Sequence, residues 1–178
     1  ILVRAWIQAA ATPSIQNDRE SIKLLKLFLE NENIPRSLKR FEDSARLLLA
    51  RAYYSTGQFA LATQTLKLVK KSSNELSAAL NELAWSHLLA EHYGEAVGTA
   101  LSLQIGGLRN TFTPEAPMIM AMALNELCQY PDSLRATQQF KKNYESSYRW
   151  LDSWRRQKPT AALYPMLLQV IRKQINIP

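Results

Sequence analysis

The chain has 178 residues, 47% hydrophobic and 21% charged, and its 22 Lys and Arg against 15 Asp and Glu give a net charge of +7. That is the length of one ordinary domain, able to bury roughly 70% of its unfolded surface, and the balance excludes wholesale disorder. Five glycines argue against Gly-rich phosphate loops and turn-dense β architectures, and no apolar run reaches the roughly 18 residues that a membrane-crossing helix needs.

Leu, Ala, Lys, Glu and Gln dominate, so the expectation is an all-α protein. The chain opens Ile1-Leu2-Val3-Arg4 without Met or a signal-peptide pattern, and reads as a fragment of a longer protein. Residues 1–11 read as a helix ended by Thr12-Pro13. Ser14 is placed to cap a second helix running to about Asn31, with Ile15, Ile22, Leu25 and Phe28 or Leu29 on one face. The stretch 31–35 is a break, and 36–55 reads as one long helix, apolar through Phe41, Ala45, Leu48, Leu49 and Ala52. Ser73 can cap a helix starting near Glu75. The stretch 105–112 is the longest irregular piece. Thr113-Pro114-Glu115 starts the next helix: a capping hydroxyl, Pro in the first turn, then an acid at the positive end of the dipole. Pro131 suits the first turn of a helix expected to run past Tyr144 to near Trp154. After Lys158-Pro159 a final helix carries Leu163, Leu167, Leu168 and Ile171, a lid for the exposed end of a stack.

A repeat organises these helices. Ala50, Phe59 and Ala62 recur 34 residues later as Ala84, Tyr93 and Ala96, and a third copy, Ala121, Tyr130 and Ser133, follows 37 residues further on. In each copy a small residue lets a neighbouring helix approach, and a bulky one (Tyr53, His87, Leu124) follows three positions later. An aromatic then opens the second helix and a small residue packs it back on the first. Leu66, Val69, Leu101, Leu103 and Phe140 are expected to bury the remaining faces.

The spacing and the small/large order resemble the tetratricopeptide repeat, over about 44–145. The resemblance implies an α-solenoid of antiparallel helix pairs: about nine helices in a single domain over 1–178, with 1–43 a possible degenerate repeat, repeats at 44–75, 76–109 and 113–146, and a C-terminal extension and capping helix at 147–178. Departures from the pattern are Arg46, Leu80 and Pro117 at the usual Trp position, and Glu91 and Cys128 where Gly57 stands in the first copy. The run Leu83-Ala84-Trp85, Tyr93-Gly94-Glu95-Ala96, 112–116 and Leu127-Cys128-Gln129-Tyr130 is similar to large envelope proteins of Gram-negative bacteria that contain such repeats. That likeness implies a periplasmic or envelope-facing scaffold, with the cytoplasm as the alternative.

No catalytic constellation stands out. His87 and His92 lack the spacing of a helical metal pair, and His87 falls on a bulky core position. Gly106-Gly107 lacks the Lys and Ser/Thr of a phosphate loop. Cys128, the only cysteine, reads as a buried small hydrophobe. The expectation is a non-enzymatic protein without cofactor or metal.

By comparison with the family, the first helices line a concave surface, which selects Leu47, Arg51, Tyr54, Asn81, Trp85, Leu88, Met118, Met122 and Asn125 as groove residues. This set lacks the Lys, Arg and Asn clamp that grips a C-terminal carboxylate, so the expected ligand is an apolar or helical segment of another protein. Trp85 is the expected anchor, with Arg51 and Asn81 setting orientation. Two alternatives remain open. One is contact with nucleic acid or another anionic partner through Lys141, Lys142, Arg149, Arg155, Arg156 and Lys158. The other is a regulatory or accessory domain of a larger enzyme.

Overall fold

A computed structural model describes residues 15–108, 111–157 and 163–171, and every regular element among them is helical. The predicted helix over 1–11, the Ser14 cap, and the lid side chains Leu163, Leu167 and Ile171 lie outside the described residues. In chain order the helices are α1 (Ile15–Leu29), the single-turn α2 (Arg36–Lys39), α3 (Glu42–Ser55), α4 (Phe59–Leu66), α5 (Leu76–Leu89), α6 (Tyr93–Ser102), α7 (Glu115–Glu126), α8 (Tyr130–Gln157) and α9 (Leu163–Ile171).

The stretch expected to be one helix over 36–55 is two. Phe41 donates its N–H to the Leu38 carbonyl at 3.0 Å, three residues back, which tightens the chain out of α geometry. A new helix then starts on Glu42 and Asp43, acids that suit its positive end and that both pair with Arg46. Ser73 does not cap the helix: its hydroxyl accepts the Glu75 N–H at 3.2 Å in the turn before it, and Glu75 itself is the residue at the N-cap, without a side-chain cap bond. Thr113 does not cap: its hydroxyl turns back to the Thr111 carbonyl, and Pro114 precedes the first helical residue.

The three hairpins α3–α4, α5–α6 and α7–α8 turn in the same way. Gly57, Glu91 and Cys128 occupy the left-handed region, at φ 75°, 62° and 57°. At each turn the following N–H reaches back five residues: Gln58 to Tyr53, His92 to His87, Gln129 to Leu124, at 2.8 to 2.9 Å. The left-handed residue reaches back three, to Tyr54, Leu88 and Asn125. This is the paired-bond ending that satisfies the last carbonyls of a helix. An aromatic opens each second helix directly after the turn, at Phe59, Tyr93 and Tyr130.

Neighbours in sequence are neighbours in space, from α3 to α8, and α1 packs on α3. The leading helices also meet one another, α3 with α5 and α5 with α7. The small residues make that approach possible: Ala50, Ala62, Ala84 and Ala96 are all buried to 1% exposure or less. Two clusters form a continuous interior. One joins Leu25 and Phe28 to Ala50, Tyr53 and Leu83; the other joins Ala84 and Leu88 to Ala100, Leu103 and Ile119. Each fully buried Leu or Ile here contributes about 1.5–3 kcal/mol. Leu101, expected inside, is exposed, and Phe140 lies at the surface against Tyr144.

A candidate binding cleft between the leading helices

The side-by-side arrangement of α3 and α5 leaves an open cleft of about 310 Å³. Ala50, Arg51 and Tyr54 of α3 form one wall and Glu82, Trp85 and Ser86 of α5 the other, with Leu66 of α4 contributing from below. The volume lies at the lower end of small-ligand pockets.

Polar side chains tie the rim. Arg51 donates from both Nε and Nη2 to Oε1 of Glu82, each at 2.6 Å. Glu115, the first residue of α7, accepts from Asn81 Nδ2 at 2.6 Å and Trp85 Nε1 at 2.8 Å through one oxygen. Ser44 donates to Glu75 at 2.8 Å two turns above the Arg51 pair. Tyr54 sets its ring edge-on to Phe59, 5.4 Å between centroids, which fixes its place in the wall.

The electrostatics follow from this geometry. Burial raises the Glu82 carboxyl pKa, Arg51 opposes that, and the charges of Glu115 and Glu75 add to the rise. The Tyr54 hydroxyl is raised by burial and then by Glu115 and Glu82, so three acidic groups share one field. Asn81 Oδ1 is buried without a donor, and the amide cannot be turned round because Glu115 holds its N–H. The arrangement offers an apolar hollow, a half-buried indole and carboxylate acceptors, a constellation suited to holding a side chain.

Of the nine groove residues expected from sequence, Arg51, Tyr54 and Trp85 line the cleft and Asn81 sits beside them on Glu115. Leu47 and Leu88 do not belong to any surface: they are 4% and 6% exposed and pack in the core. Offset from the small alanine does not separate them from the groove, since Asn81 and Tyr54 stand at the same offsets and are partly open; Leu47 and Leu88 are instead drawn into the apolar clusters on either side. Met118, Met122 and Asn125 are exposed on α7, one hairpin further along and away from the cleft. Glu82 and Glu115 were missed. The signal for Glu82 is a spacing: Arg51 to Glu82 and Ser44 to Glu75 are both 31 residues; Glu115, 34 and 30 residues from its partners, does not share it.

The basic stretch of α8 is partly offset within its own helix. Arg149 pairs with Glu145, and Arg155 and Arg156 both pair with Asp152. Lys141 and Lys142 are exposed, and Lys158 lies outside the described residues. Cys128 is exposed at its turn and is not the buried hydrophobe expected, because the left-handed backbone carries it outward from the helix end. His87 is buried, at 3% exposure. Among the described residues no cluster of His, Cys, Asp and Glu is arranged to hold a metal ion, and no helix is long and apolar enough to cross a membrane.

Compared with protein-family models, with curated proteins and with solved structures, the chain matches none.

Proposed function

We propose that this chain is a segment of a tetratricopeptide-like α-solenoid that holds part of another protein in the groove formed by its leading helices, without a reaction of its own. The observation that carries this reading is the apolar cleft between α3 and α5 with the Trp85 indole in its wall. A large amphipathic ring, held by one hydrogen bond and otherwise half-open, is the kind of side chain that anchors a protein interface. The repeated turn geometry and the contacts between successive leading helices support the solenoid plan. An envelope assembly is the proposed setting, by the resemblance of 83–130.

The test is Trp85→Ala in the intact protein, against a partner recovered by pull-down. Binding weakens by about 2 kcal/mol or more while the helical circular dichroism is retained. Unchanged affinity rejects the groove.

A further inference from the structure

The charge around the cleft runs against the charge of the molecule. The protein carries a net charge of +7, yet the groove carries a surplus of carboxylates. Glu82 is matched by Arg51. Glu115 has no cation partner among the described residues; its two partners, the Asn81 amide and the Trp85 indole, are neutral donors. Both bonds fall on Oε2, so among the described residues Oε1 of this exposed carboxylate is left for another donor. The Asn81 amide oxygen is buried and adds nothing to the surface a partner meets. Glu115 alone, among the described residues, places an unmatched carboxylate beside the apolar hollow.

We infer that the groove recognises a basic–apolar segment of its partner, an aliphatic or aromatic side chain entering the cleft between Tyr54 and Trp85 and a neighbouring Lys or Arg meeting Glu115. This rests on the groove reading above and adds the chemistry of its occupant. A cation at Glu115 would make a charge-assisted hydrogen bond to its carboxylate, stronger than a bond between neutral groups. An acidic segment would meet repulsion at the same place, which makes Glu115 a filter as well as a contact. The net positive charge of the chain disfavours a lysine-rich segment elsewhere, so the carboxylate beside the cleft sets where such a segment can dock.

The probe is a phage-displayed library of random 12-residue peptides, selected on the chain and counter-selected on Trp85→Ala. Enriched peptides are then synthesised and titrated against wild type and Glu115→Gln, the glutamine keeping an oxygen for Trp85 and Asn81. The expected result is enrichment of a Lys or Arg within four positions of a Leu, Ile, Met or Phe. Affinity should fall about tenfold in Glu115→Gln, and binding should weaken with added salt. Peptides that require Trp85 but lack a basic residue, with affinity unchanged in Glu115→Gln, overturn this inference and leave the groove standing. If no selected peptide depends on Trp85, the groove reading and this inference fall together.

Discussion

Arg51 and Glu82 join the first two leading helices across the cleft, two guanidinium nitrogens on one carboxylate oxygen at 2.6 Å. The pair nevertheless leaves the Glu82 pKa raised, because burial outweighs Arg51 and the charges of Glu115 and Glu75 add to it. Between the ordinary value and the raised one, the folded chain therefore holds a proton that the unfolded chain releases. The contribution to stability is full below the ordinary value near 4.5 and is lost as pH rises through the raised folded pKa. The Glu82 carboxylate is thus held at the cleft against a local electrostatic cost.

Glu82→Gln tests this. Glutamine still accepts from Arg51, whose side chain is 53% exposed and stays hydrated. At pH 7 the substitution should cost less than about 1 kcal/mol. Urea midpoints at pH 4.5, 5.5 and 7 should show wild type gaining on the variant as pH falls. A wild type that loses ground on acidification would contradict the assigned shift.

His87 has the opposite sign. It is buried, its Nδ1 has no partner, and its pKa is lowered by burial first and then by Lys67, against a smaller pull from Glu95. The unfolded chain binds this proton more readily, so the stabilising contribution of the neutral ring is present above about 6.5 and is lost as pH falls through the lowered value. His87→Leu removes the unsatisfied nitrogen while keeping bulk at the position. It should add about 1 kcal/mol at pH 7 and more at pH 5.5, measured by urea unfolding.

The helix-pair plan was legible because it rests on size. Ala50, Ala84 and Ala96 are small where helices touch, and Phe59, Tyr93 and Tyr130 open the second helices where expected. The break at Phe41 was not legible, since a three-residue backbone bond leaves no mark on the apolar pattern. The site was half-legible. Arg51, Tyr54 and Trp85 stood out by type, whereas Leu47 and Leu88 required knowing which side of the stripe faces the next helix. Glu82 and Glu115 act through partners 30 to 34 residues away, and ordinary glutamates carry no local sign of that.

Close approach predicts what filling the small positions would do. Ala96 is fully buried at the foot of α6, in the cluster that joins α5 to α7. Ala96→Leu should destabilise by about 1–3 kcal/mol, because the helices must part to admit three more carbons. Ala60→Leu, on the exposed side of α4, should change stability by less than about 0.5 kcal/mol. Equal effects at the two positions would mean that the hairpins do not pack through their small residues.

The turns give the sharpest test of the repeat. Gly57, Glu91 and Cys128 share one backbone conformation, and only the first is a residue that adopts it without penalty. A side chain in the left-handed region costs about 1–2 kcal/mol, partly offset by the greater entropy that a glycine loses on folding. Glu91→Gly and Cys128→Gly should therefore each stabilise by about 0.5–1 kcal/mol, and Gly57→Ala should destabilise by about 1 kcal/mol. Space does not interfere, since a Cβ built on Gly57 meets nothing within 4 Å. Chemical denaturation of the three variants reads the strain directly. If Gly57→Ala is neutral while the other two lose stability, the three turns are not copies of one another, and the register that aligns Arg51, Trp85 and Glu115 along the groove goes with them.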